Sequence, residues 1–288
     1  MATNTFITPS IVAREALMVL RNNAVMANLV HRDYSNEFVA GVGDTITIRK
    51  PAKFTANEFS SNISVQNATE SKTTVAMDKL LDVSFSVTSK ELTMSIEDFS
   101  AQLIVPAMQA FADKIDSYLI ALADAATQTV EKDSPVDAGA IVDARAFLTK
   151  AAAPLTERRF VYNSAVEAEL LKTDLFTNAS AVGDDGTALR EASLGRKFGM
   201  DFYVDQNFDS ATNAKAVAFH KNALALVTRP LVLPKGASNA AIMNYDGFGL
   251  RVVQDYDIKT KTDVISIDML CGVKTLDDKL MAIIKNAA

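Results

Sequence analysis

The chain has 288 residues, 49% of them hydrophobic and 22% charged, which excludes a disordered polymer and allows one large or two small domains with a real core. Its net charge of −6, with Lys and Arg clustered no more densely than pairs such as Arg49-Lys50 and Arg158-Arg159, excludes a surface built to grip nucleic-acid phosphates. The single cysteine, Cys271, excludes an intrachain disulfide. The start MATNTFITPS does not read as a signal peptide, so synthesis and folding in a cytoplasm are expected, and the sequons at Asn62, Asn67 and Asn178 read as chance.

Residues 9–22 read as a helix. Pro9 suits its first turn, and Ile11, Ala16, Leu17 and Leu20 share a face. Arg14, Glu15 and Arg21 interrupt the apolar stretch 11–30, so it does not span a membrane. The segment to Phe38 is irregular or a second short helix. After Gly41 and Gly43, Ile46 and Ile48 alternate with Thr45, Thr47 and Arg49, which is strand period. Further on, Val75, Met77, Leu81, Val83, Phe85 and Val87 hold odd positions against polar even ones, with Lys79 and Leu80 as exceptions. One face of that strand is buried and the other wet. Segments 45–54 and 75–87 are expected to be the arms of one long hairpin, reaching up to roughly 60 Å at ~3.3 Å per residue.

The connecting stretch, FTANEFSSNISVQNATESKTTV, holds no Gly or Pro and few large apolar residues. Ordering a backbone residue costs roughly 1–2 kcal/mol, and so polar a tip has little of its own to bury. A neighbouring subunit is expected to supply the missing surface, with mobility in the free monomer. Phe54, Phe59, Ile63 and Val65 are the candidate anchors, and Arg49, Lys53, Glu70 and Lys72 the candidate charged contacts.

Residues 95–125 predict a long helix of about 45 Å, with Ser95 and Asp98 as a capping box. Ile104, Met108, Phe111, Ile115, Leu119 and Leu122 form its apolar line, and Asp113, Lys114, Asp116 and Ser117 lie off it. Pro106 kinks or restarts the helix. EKDSPVDAGA (131–140) reads as a linker. A mixed α/β unit of about 95 residues follows. Its expected parts are a helix at 139–151, a strand at 159–162, and a helix capped by Ser164 and Glu167. A loop with a short helix at 181–200 and a strand at 201–208 come next, then KAVAFHKNALALVTRP as a strand running into a helix. Leu250, Val252 and Val253 mark one late strand, Val264 to Leu270 another across the charged turn DYDIKTKTD, and KLMAIIK a last short one.

Signatures of chemistry are absent from the sequence. Neither His31 nor His220 lies in a metal-spaced motif. There is no G-x-S-x-G elbow, and Cys271, among Met269, Leu270 and Val273, reads as a core thiol. GVGDT is no P-loop, GDDG (183–186) reads as a polar turn, and GRKFG as a solvated loop. A 7% aromatic content without Trp is a poor supply for stacking on bases or sugars. The expectation is a structural protein, with no catalytic, metal or cofactor residues.

The order of parts, with the blocks TPSIVAREALMVLRNNAVMANLVHRDYSNEF, GVGDTITIRKPAKF, SIEDFSAQLIVPAMQAFADKIDSYL and LRVVQDYDIKTKTDVISIDMLCGVKTLDD, resembles the major capsid proteins of tailed bacteriophages. These have the Hong Kong 97-type, encapsulin-related fold. The resemblance implies an α+β chain. Residues 1–44 would be an N-terminal arm, 45–94 an extended hairpin loop with its base strands, and 95–136 a spine helix with part of a peripheral domain. Residues 137–235 would form an axial domain, and 236–288 the returning strands of the peripheral domain. It further implies self-assembly as hexamers and pentamers into an icosahedral phage head enclosing double-stranded DNA without sequence-specific binding. Scaffolding and portal proteins would be partners, procapsid maturation a stage, and the virion, assembled in the host cytoplasm, the location. An encapsulin-like compartment shell is the alternative, followed by an enzyme of unrecognised class.

Overall fold

The computed structural model describes residues 9–32, 45–50, 54–58, 65, 67, 71–88, 103–173, 176, 194–210, 214–236, 239–245 and 248–286. Helix α1 (Pro9–Asn23) buries Val12, Ala13, Ala16, Leu17 and Leu20, whereas Ile11, expected on that face, is 51% exposed. A four-residue α2 (Met26–Leu29) follows. Strands β1 (Thr45–Lys50) and β2 (Ser71–Ala76) pair antiparallel, from Thr45 opposite Ala76 to Lys50 opposite Ser71.

The second arm of the expected hairpin does not run unbroken to residue 87. The chain leaves β2 at Met77-Asp78, and β3 (Lys79–Thr88) enters a different sheet. Burial keeps one phase across this break: Val75, Met77 and Val87 are buried, and Leu81, Val83 and Phe85 are half-buried between exposed neighbours. An alternating pattern specifies which face is wet, and a strand that changes partner without changing face leaves that pattern intact.

Helix α3 (Val105–Asp124) carries Pro106 in its first turn, where no backbone donor is lost. Its described length is 20 residues, about 30 Å; the proposed Ser95–Asp98 cap lies outside the described residues. Ile104, Met108, Phe111, Ile115 and Leu119 are buried as their spacing predicts, and Leu122 is half-buried. Full burial of each such side chain contributes ~1.5–3 kcal/mol. Asp116 departs from expectation: it is 1% exposed.

Beyond β4 (Thr129–Glu131), α4 (Ala138–Lys150) starts at Asp137, whose carboxylate accepts from the Ala140 N–H. Strand β5 (Arg158–Tyr162) precedes α5 (Ser164–Leu171). The side chain that caps α5 is that of Asn163, accepting from Val166 N–H at 2.9 Å, and not Ser164. A tight ribbon of β6 (Arg196–Lys197) and β7 (Met200–Val204) ends in a 3-10 turn at Gln206–Ser210. KAVAFHKNALALVTRP is two strands and no helix: β8 (Ala214–His220) and β9 (Leu224–Arg229), joined by a 3-10 turn at Lys221–Ala223. The remaining strands are β10 (Asn239–Tyr245), β11 (Phe248–Asp257), β12 (Thr262–Thr275) and β13 (Met281–Lys285).

Two larger sheets result. One has the order β10-β11-β12-β3, with β9 also on β12; the other is six-stranded, β4-β13-β8-β5-β7-β6. Pairing crosses the segment boundaries drawn from sequence, since β4 and β13 join the strands of 137–235 while β9 leaves them. The crossings at Lys221–Ala223 and Asp278–Leu280 are tied together by Leu276 N–H donating to Ala223 O at 2.8 Å. The main core, with α1, α2 and α3, draws Leu250, Val252, Ile265 and Ile267 from one sheet and Val161, Val217, Phe219 and Ile283 from the other. The opposite face of the six-stranded sheet covers α4 and α5 through Phe160, Tyr162, Ala216 and Ala218.

Candidate subunit interface

The hairpin of β1 and β2 is anchored at its base. Ile48, Val75 and Met77 pack on Ala225, Val227 and Leu276, a small cluster apart from the main core. Here β2 crosses β12 at backbone distance, because a Cβ on Gly272 would collide with the Ala76 carbonyl oxygen. Glycine is required there by close approach. Residues 54–58 are all exposed and in no strand, so β1 (Thr45–Lys50) does not extend to the expected Phe54. Phe54 is 66% and Val65 87% exposed.

The other candidate contacts are placed as follows. Arg49 stands opposite Lys72 in the β1–β2 register, and Lys72 is exposed. Lys53, Phe59, Ile63 and Glu70 lie outside the described residues. The strand register thus sets Arg49 opposite Lys72, and Phe54 and Val65 are exposed.

Exposed apolar residues that sequence reading passed over include those of two loops. Ile258 is 79% and Tyr256 47% exposed at the β11–β12 turn, and Val232 is 77% exposed beyond β9. The available signal was an isoleucine inside a charged turn and a Leu-Val-Leu run enclosed by Pro230 and Pro234. Arg251 secures the latter loop, donating to Val232 O at 2.6 Å while pairing with Asp268 at 2.5 Å.

Groups that could carry chemistry are occupied structurally. His220 Nδ1 accepts from Asn222 N–H at 3.2 Å, and burial lowers its basicity. Burial pushes the Cys271 thiol up to about 12. Arg158 is buried and donates to the Ala153 and Pro154 carbonyls and to Thr149 Oγ1 just past the end of α4, where a cation complements the helix dipole. In the GRKFG ribbon, Arg196 pairs with Asp201 at 3.6 Å; GDDG lies outside the described residues. Among the described residues no group of three or more His, Cys, Asp or Glu is placed to hold a metal ion. None of their helices is long and apolar enough to cross a membrane.

No protein-family model and no curated protein matches this sequence. Solved structures do match. A chain of Mycobacterium phage Che8 superposes with a TM-score of 0.71 at 20% identity, covering 91% of this chain and 90% of that one. The mature capsid of bacteriophage PhiM1 is similar at TM-score 0.62 and 15% identity, over 86% of this chain and 83% of that one. A virus-like particle from Pyrococcus furiosus is similar at TM-score 0.56 and 14% identity, over 96% and 98%. The fold is the Hong Kong 97-type fold of phage capsid subunits, α+β as expected.

Proposed function

We propose that this chain is the repeating subunit of an icosahedral phage head, assembling as hexamers and pentamers around double-stranded DNA. The observation that carries this reading is the likeness to phage capsid subunits over about nine-tenths of both chains. The arm supplies the means. Its base is anchored by Ile48, Val75 and Met77, and its described outer residues have no surface of their own subunit to cover them. Phe54, Phe59, Ile63 and Val65 would seat on an adjacent copy, with Arg49, Lys53, Glu70 and Lys72 as flanking contacts. Many weak contacts of this kind gain strength from repetition and favour closed shells. The net charge of −6 suits a wall that encloses DNA without gripping it.

Residues 1–44 would act as the N-terminal arm, 45–94 as the extended loop, 95–136 as the spine, 137–235 as the axial domain and 236–288 as the returning peripheral strands. Scaffolding and portal proteins would be the partners in assembly, in the host cytoplasm. Negative-stain microscopy and gel filtration of the purified chain test the reading: capsomers or megadalton shells are expected, and a monomer under all conditions overturns it. The similarity to the Pyrococcus furiosus particle favours one second reading, a compartment shell, which would enclose protein and no genome.

A further inference from the structure

The six-stranded sheet ends in two edges of opposite charge. Its order, β4-β13-β8-β5-β7-β6, puts β4 at one edge and β6 at the other, about 24 Å apart at ~4.8 Å per strand. Val130, Met200 and Phe202 pack with α4 and α5, which marks the helix side of the sheet at both edges. Glu131 follows Val130, and Asp201 lies between Met200 and Phe202, so both point to the other side.

At the β4 edge the unpaired groups are mainly acidic. On the helix side, a shallow groove between β4 and α4 is lined by Thr129, Val130, Asp143, Ala146, Phe147 and Lys150. Asp143 is exposed, and Lys150 stands two turns further along α4. On the other side Glu131 is exposed, and the neighbouring Lys132 is taken by Asp137 at 3.0 Å.

At the ribbon edge the groups are basic. On the helix side Lys197 stands opposite Met200. Arg145 of α4 lies against the ribbon turn, where a Cβ on Gly199 would come within 3.8 Å of its Nε. On the other side Arg196 stands opposite Asp201 and pairs with it at 3.6 Å. Among the described residues Glu131, Asp143, Arg145 and Lys197 enter no ion pair.

We propose that these edges join copies of the chain head to tail. The β4 edge of one copy meets the β6–β7 ribbon of the next, with Asp143 toward Lys197 and Arg145 in the helix layer and Glu131 toward Arg196 in the other. This rests on the reading of the chain as a shell subunit, and it names the contact that closes its rings.

A two-fold contact would set each edge against its own kind, acid on acid or base on base, which is repulsive. A head-to-tail contact uses both edges once per copy, keeps helix side beside helix side, and repeats until a ring closes.

Reversing one edge at a time tests the contact in the full chain, read by gel filtration and negative-stain microscopy. Glu131→Lys with Asp143→Lys makes both edges basic, and Arg196→Glu with Lys197→Glu makes both acidic. Each pair should lower the yield of rings and shells about tenfold or more, since like charges then face each other. An equimolar mixture of the two reversed chains should assemble alternately, which admits hexamers and excludes pentamers. The chain with all four substitutions, its net charge unchanged, should recover both. Parent-like rings from either reversed chain, or no recovery in the mixture and in the four-substitution chain, overturn the contact and leave the proposed function standing wherever the parent forms shells. A parent that stays monomeric removes both. Where a variant does not fold, the parent decides: its ring association should weaken as NaCl rises, and salt-insensitive rings overturn the contact.

Discussion

All seven residues of β8 are buried, while all five residues of 54–58 are exposed. Both segments follow from local sequence, and the difference lies in what the rest of the chain offers them. β8 sits inside the six-stranded sheet, with Val217 and Phe219 in the core around α3 and Ala216 and Ala218 in the core around α4 and α5. A strand covered on both faces carries a nearly continuous apolar run. The β1–β2 arm has a second layer at its base, and the described residues past Lys50 and before β2 are exposed. One region is complete within the subunit; the other, under the proposed function, is the surface that a second copy would cover.

The largest effect that would sharpen this contrast comes from shortening the arm. Replacing residues 56–72 with a tight turn is expected to abolish shells in electron microscopy while the subunit unfolds at an unchanged temperature. Normal shells from the shortened chain would remove the inter-subunit role, and an insoluble product would place the tip in its own core. The converse change is Phe160→Ala, in a ring cluster with Tyr162 at 5.7 Å and Phe202 at 4.9 Å. Denaturant unfolding should show a loss of ~3–5 kcal/mol.

Gly272→Ala tests the junction between the two regions. Its new methyl meets the Ala76 carbonyl, and forced repacking of this sort costs ~1–3 kcal/mol. Faster exchange at the β1 and β2 amides than in the β8 amides is expected, and equal effects on both would mean that the arm is not a separate unit. Smallest on stability are Phe54→Ala and Lys72→Glu. Both positions are exposed, so unfolding should shift by less than about 0.5 kcal/mol. Shell yield should drop for both, and parent-like assembly would exclude these side chains from the contact.

Several elements were legible from periodicity because their cause is local. The α1 face apart from Ile11, the apolar line of α3 and the alternation of β3 survive in the structure. The misread elements share a different cause. Residues 224–229 form a strand because β12 supplies a partner more than forty residues later, and a short apolar run alone does not separate strand from helix. The arm ends at Ala76, and β3 pairs with β12 from Thr88 opposite Thr262 to Lys79 opposite Cys271; the out-of-pattern Lys79 and Leu80 were the one local trace of that change. Asp116, beside the apolar line, reads as a solvent residue until α2 brings two backbone donors to it.

Composition, period and the lack of spaced ligands thus determined by themselves that this chain is a mixed α/β polypeptide with a core and a hydrophilic arm, because those properties depend on neighbours within a turn or two. Which strands share a sheet, where the arm is pinned, and which acidic residue is buried were decided only in three dimensions. Each depends on a partner tens to nearly two hundred positions distant, and local periodicity carries no information about which surface will meet it.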